Sequence, residues 1–205
     1  TLDMELRGAG NLLGGDQSGF VSTVGFDLFC QMLEEATHEL RGEPVIHEVD
    51  PEMTFDVDAL LPEDYVPEIG VRLSLYKRLA AASYESEVED VAAEMEDRFG
   101  QAPIEARRLV ALMRLKVELR KLRALGCEAT AKSVTLYLRD DTSLDPVKVS
   151  ALVAAKKSRY RMTPDMRLTR RAGDGEPMRD GITLADRMLS ELSECLKDET
   201  PTTAT

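Results

Sequence analysis

From Phe26 onward, apolar residues recur every three or four positions: Phe26, Phe29, Cys30 and Leu33, continued by Ala36, Thr37 and Leu40. That stripe predicts an amphipathic helix. Arg41 and Gly42 close it, a cation followed by a glycine suited to a helix C-terminus. The period then drops to two. Met53, Phe55 and Val57 alternate with Thr54, Asp56 and Asp58, the pattern of a half-buried strand over 53–58. Leu61 to Pro67 is a turn bracketed by prolines. Three helices are expected next. Residues 68–82 carry Ile69, Leu73, Tyr76, Leu79 and Ala80. A second helix, capped by Ser83 or Ser86, runs to Phe99 and ends at Gly100. A third has Pro103 in its first turn and a stripe of Leu109, Leu112, Met113, Leu115, Leu119 and Leu122 leading to Gly126.

The last third alternates between the two periods. Ser133 to Leu138 reads as a strand, with a short one before it at 128–131. Pro146 to Lys157 reads as a helix with Val149, Leu152 and Val153 turned inward. Residues 159–163 and 166–171 are short strands split by Pro164 and Asp165, and 172–177 is a glycine-containing loop read as a hairpin tip. Asp180 to Leu196 is a terminal amphipathic helix with Leu184, Met188, Leu189 and Leu192, and 197–205 reads as a disordered tail. The order indicates an α+β fold, several helices packed on a small mixed or antiparallel sheet. The polar, proline-containing stretch from Glu43 to Asp50 marks a boundary, which divides the chain into 1–45, a domain over 46–196, and the tail.

Composition narrows the function classes. The 205 residues are 43% apolar and 31% charged, with a net charge of −12. So acidic a chain argues against a general nucleic-acid surface, which needs clustered Lys and Arg. No apolar run approaches the roughly 18 residues of a membrane span, and the acidic start, Thr1 to Leu6, lacks the basic region of a signal peptide. Cys30, Cys127 and Cys195 are odd in number and far apart, which suggests neither a zinc site nor a disulfide framework but thiols in a reducing cytoplasm. The charge is also uneven. Residues 43–103 hold sixteen acidic against four basic residues, and 104–139 hold nine basic against three acidic.

Candidate chemistry is sparse. There is no G-x-x-x-x-G-K-[ST] phosphate loop and no G-x-S-x-G. His38 and His47 stand nine apart without cysteine neighbours and read as surface residues rather than ligands. The acidic pairs Glu34-Glu35, Glu63-Asp64 and Asp140-Asp141 read as solvated faces. The basic helix at 104–123, with Arg107, Arg108, Arg114, Lys116, Arg120, Lys121 and Arg123, has two readings. One is a free-standing nucleic-acid-binding module. The other, favoured by the acids of 43–103, is a helix that pairs with its own neighbours. The remaining feature is a loop with five glycines among the thirteen residues from Arg7 to Gly19. Glycine in such numbers excludes a regular helix. Arg7 can grip a phosphate or carboxylate and Gln17 both donates and accepts; composition alone leaves a gripping loop and a plain connector equally open.

The run Leu6-Arg7-Gly8-Ala9-Gly10-Asn11-Leu12-Leu13-Gly14, then Gln17-Ser18-Gly19, then Val24-Gly25-Phe26-Asp27-Leu28, resembles the end of the motor in bacterial transcription-repair coupling factors. A looser version resembles branched-DNA helicases of the same superfamily. Leu61 to Pro67, Arg72 to Leu79 and Asp97-Arg98-Phe99-Gly100 resemble the C-terminal domain that the coupling factors have and those helicases lack. The resemblance implies that this chain is the C-terminal part of an ATP-dependent double-stranded DNA translocase. Such a protein displaces stalled RNA polymerase and recruits the excision-repair protein UvrA. It implies that Arg7, Gly8, Gly10, Asn11, Gly14, Gln17 and Gly19 couple ATP hydrolysis to movement. Phe20 departs from the histidine often found there. It places ATP and Mg in motor lobes upstream, with no cofactor or catalytic site here. Residues 46–196 are then an autoinhibitory domain that masks the N-terminal UvrA-binding module. Glu63, Asp64, Tyr65, Arg72, Tyr76, Lys77 and Arg78 are its candidate interaction residues.

Overall fold

The computed structural model describes residues 50–173 and 180–197. The glycine-rich loop, the helix expected from Phe26, the boundary near residue 45 and the tail beyond Lys197 lie outside the described residues. Strand β1 (Glu52–Phe55) leads into three helices, α1 (Ile69–Ala81), α2 (Glu85–Phe99) and α3 (Ile104–Lys121). Strands β2 (Ala124–Ala129) and β3 (Ser133–Leu138) follow, then α4 (Pro146–Ala154), β4 (Tyr160–Met162), β5 (Arg167–Arg171) and α5 (Gly181–Ser193). The α+β expectation holds: five helices accompany one mixed five-stranded sheet of order β1-β2-β3-β5-β4. Its β1–β2 pair is parallel and its other pairs are antiparallel.

The register sorts the strands into two faces. Met53, Cys127, Leu136 and Leu168 align on one side, against α3 and α5. Val134, Leu136, Leu168, Leu119, Met188 and Leu192 are fully buried there, each worth about 1.5–3 kcal/mol relative to exposure. Helix α3 supplies the largest share of the core, with Ala106, Leu109, Leu112, Met113, Leu115, Val117 and Leu119 all buried. Helices α1 and α2 pack on its far side.

Several boundaries differ from the sequence reading. Strand β1 stops at Phe55, where Asp56 begins a bend, so Val57 lies beyond it. On α1 the core stripe is Arg72, Leu75, Tyr76, Leu79 and Ala80, and Ile69 is 42% exposed. Neither Ser83 nor Ser86 caps α2. The Glu87 carboxylate reaches back to accept from the Ser83 and Tyr84 amides at 2.7 and 3.1 Å. Gly100 closes that helix as expected, with φ 81°. Helix α4 ends at Ala154 rather than Lys157. Strand β5 is followed among the described residues by α5, and most of the hairpin tip expected at 172–177 lies outside the described residues.

The largest correction concerns Gly126. It does not end α3. The helix stops at Lys121, Arg123 adopts a left-handed conformation (φ 55°), and β2 starts at Ala124, earlier than the strand expected at 128–131. Gly126 lies inside β2 opposite Glu52, and a Cβ there would stand 2.8 Å from the Glu52 carbonyl oxygen. The glycine is needed because the backbone of the neighbouring strand comes too close for a side chain. Gly181 has the same role at the start of α5, where a Cβ would come within 2.9 Å of the Ala129 carbonyl.

Replacing Gly126 with Val should push β1 off β2 and cost about 1–3 kcal/mol. Urea unfolding should show a lower midpoint at unchanged slope. An unshifted midpoint would mean that β1 is not held as closely as the geometry indicates.

Candidate protein-interaction face

The turn from Leu61 to Pro67 is built around two side chains that α1 sends into it. Arg72 is 4% exposed. Its guanidinium donates to the Val66 carbonyl at 2.7 Å, the Pro67 carbonyl at 3.2 Å and the Glu63 carboxylate at 3.0 Å. Four residues on, one helical turn further, the Tyr76 hydroxyl accepts from the Leu61 amide at 2.7 Å. The amides of Tyr65 and Val66 both donate to the Pro62 carbonyl, which closes the turn on itself. Val66 is fully buried at its centre. Arg72 and Tyr76, predicted as interaction residues, are thus the frame of this turn and are not presented to a partner.

The turn extends sideways through Tyr65. Its ring meets Phe99 edge-on, with centroids 5.9 Å apart, and its hydroxyl donates to the Gly100 carbonyl at 3.1 Å. Burial, and then the charge of Glu96, raise the Tyr65 pKa above the ordinary tyrosine value, so it remains a donor. Arg98 lies over the Phe99 ring at 5.0 Å. Glu94 takes hydrogen bonds from both Arg78 and Arg98, and these hold its carboxyl below the usual range. What remains accessible is a ridge of both signs, with Glu63, Asp64, Lys77 and Arg78 exposed and Tyr65 half-buried.

The basic helix is occupied by its own protein. Arg114 pairs with Glu89 of α2, and Arg108 approaches Asp180 at 4.0 Å. Lys121 pairs with Glu118, and Arg123 with Asp141. Lys116, 3% exposed, meets Asp50. Arg120 also meets Asp50, at 2.7 Å, and donates to the Ala82 carbonyl at 2.8 Å. Of the seven cations singled out in the sequence, Arg107 alone is without a carboxylate within reach among the described residues.

Other candidates gain no catalytic geometry. Burial works against ionisation of Asp141, but the hydrogen bond from Arg139 and the charges of Arg123 and Arg139 hold its pKa below normal, the opposite of a general acid. Burial, and then Glu128, push the Cys127 thiol up to about 12, so it is no activated nucleophile. Among the described residues no group of three His, Cys, Asp or Glu could hold a metal ion, and no helix is long and apolar enough to cross a membrane.

One charged cluster was missed in the sequence. Arg170, 1% exposed, donates to both Glu191 oxygens at 3.0 and 2.9 Å, and the Tyr160 hydroxyl joins the same carboxylate. Burial opposes Glu191 ionisation, yet the hydrogen bonds from Arg170 and Tyr160 and the Arg170 charge leave its pKa lowered. The signal was present: alternation along β5 puts Arg170 on the same inward face as Leu168.

The class of protein follows from comparison at this point. Residues 55–149 match the TRCF domain family, the span that holds β1's end, the framed turn, α1 to α3, β2 and β3. A crystal structure of the C-terminal domain of transcription-repair coupling factor shares the fold, with a TM-score of 0.56 at 18% identity over 71% of this chain and 94% of that one. The transcription-repair-coupling factor of Myxococcus xanthus is 44% identical over 94% of this chain, and that of Escherichia coli K12 is 35% identical over 82%. The chain belongs to the transcription-repair coupling factor family. It spans 16% and 15% of the length of those two relatives.

Removing the Arg72 fork should leave the Val66 and Pro67 carbonyls unpaired, at a cost of about 1–3 kcal/mol for Arg72→Ala. Arg72→Lys, which keeps the charge but not the fork, should recover only part of that. Hydrogen exchange at the Tyr65 and Val66 amides should accelerate in both variants. Wild-type protection in Arg72→Ala would show that the turn holds without the guanidinium.

Proposed function

We propose that the described domain is a regulatory, protein-binding part of a coupling factor, and that it works on another segment of the same protein rather than on DNA. The observation that carries this reading is the state of α3. Apart from Arg107, its cations are met by Glu89, Glu118, Asp50 and Asp180 of the domain itself, so this helix offers few free charges to phosphates. The exposed ridge of Glu63, Asp64, Lys77 and Arg78 instead carries both signs, which suits a protein surface. On this reading the domain masks the N-terminal UvrA-binding module and restrains the motor until RNA polymerase engages. The whole protein is a DNA-dependent ATPase and double-stranded DNA translocase that removes stalled RNA polymerase and brings in UvrA. Its ATP and Mg are held by motor lobes upstream of residue 1.

Calorimetric titration of this chain into the N-terminal module of the same protein should give a dissociation constant at or below about 10 μM. Reversing the charges of Glu63, Asp64, Lys77 and Arg78 should weaken it. A silent titration at that concentration would count against masking.

The glycine-rich loop is proposed to couple hydrolysis to movement, with Arg7 and Gln17 as the side chains that relay it. In the full-length protein, Arg7→Ala and Gln17→Ala should each leave DNA-stimulated ATP hydrolysis largely intact and impair displacement of a triplex strand, a measure of translocation. Equal loss of both activities would refute a coupling role.

A further inference from the structure

The sheet has a second face. Opposite the side packed on α3 and α5, the register aligns Glu52 and Thr54 of β1 with Glu128 of β2, then Thr135 and Tyr137 of β3, Arg167, Thr169 and Arg171 of β5, and Arg161 of β4. The residues of this face are exposed or half-buried. Its middle is internally satisfied. Thr135 and Thr169 hydroxyls are 3.0 Å apart, Arg167 lies 5.3 Å over the Tyr137 ring and pairs with Asp165, and Glu128 interacts with the Tyr137 hydroxyl.

One corner is not. Arg161 stands directly across from Thr169, Arg171 is two residues beyond Thr169 on the same face, and both are exposed. Lys132 joins them, its carbonyl accepting from the Ala172 amide at 2.9 Å. Most arginines of this domain sit against a carboxylate, as Arg72, Arg78, Arg114 and Arg170 do. Among the described residues Arg161, Arg171 and Lys132 have no such partner, and they are neighbours. The diagonal between Arg161 and Arg171 spans about 7–8 Å. That is close to the roughly 6.6 Å between alternate side chains of an extended peptide.

We infer that this corner docks a short acidic segment of a partner protein, with alternate carboxylates taken by Arg161 and Arg171 across Thr169. A phosphate polymer fits less well. Continuing across the sheet it would meet Glu128 and Glu52, two and three strands from β5, whereas a peptide with a few acids ends before them. The inference does not depend on masking, since the partner is defined by its charge spacing alone.

The test uses the 205-residue chain at low salt with a fluorescein-labelled Glu-Thr-Glu-Thr-Glu peptide, its Gln-Thr counterpart, and an oligothymidylate of about a dozen nucleotides, read by anisotropy. The acidic peptide should bind, the Gln peptide should not, and Arg161→Glu with Arg171→Glu should weaken binding at least about tenfold. Arg107→Glu, an exposed cation elsewhere, should change nothing. Melting curves confirm folding, and Arg161→Gln with Arg171→Gln replaces the reversal if it fails to fold. No binding of the acidic peptide, equal binding by the double variant, or tighter binding of the oligonucleotide at this corner would each overturn the inference.

Discussion

Helix α3 is buried on several sides while carrying Arg107, Arg108, Arg114, Lys116, Arg120 and Lys121, and the domain is arranged around reconciling those two facts. Its apolar residues hold the sheet on one side and α1 and α2 on the other. A cation as buried as Lys116 must be matched, because an unpaired buried charge costs far more than a surface ion pair returns. The matching acids come from everywhere else. Asp50 enters ahead of β1, Glu89 from α2 and Asp180 from the start of α5, each at a different angle. The acidic excess of residues 43–103 is therefore in part the counter-charge of the helix that follows it.

Arg72 and Arg170 apply the same solution at smaller scale. Each is an arginine placed on a core-facing position, and each turns that position into a junction. Arg72 fastens a turn to α1, and Arg170 joins β5 to α5 through Glu191 and then to β4 through Tyr160. A Leu at either place would fill volume but could not specify which loop or helix lies opposite. The partner for such an arginine is set by geometry, so these contacts define the fold's arrangement more than its total stability.

Much of this was legible in advance. The period of 3.6 marked α1, α3, α4 and α5, and the serines and Gly100 bounded α2; at the start of α4 the Asp145 carboxylate accepts from the Val147 and Lys148 amides. What escaped were residues whose role depends on something distant in sequence. Gly126 followed a long helical stripe and looked like its stop, because nothing local announces that β1 pairs so closely beside it. Arg72 and Tyr76 were interaction candidates by resemblance alone, and most of their partners are backbone groups of a loop, which leave no mark on composition. Ser83 and Ser86 were sound local candidates for a cap, but the bond at this end runs back from Glu87, which takes the Ser83 and Tyr84 amides. The ridge at the turn was legible as a motif, while its division into frame and surface needed coordinates.

The parallel pairing of β1 with β2 has a consequence for the order of assembly. Strands β2 and β3 are sequence neighbours, as are β4 and β5, and β3 meets β5 after only α4 and β4. Glu52 meets Gly126 only after a loop of about seventy residues and three helices has closed. The antiparallel ladder can therefore form early, and β1 is added when the helical layer is already in place. The strand through which everything upstream is connected is the last to be fastened, and, being short and at the sheet edge, the first that a pull from upstream would release.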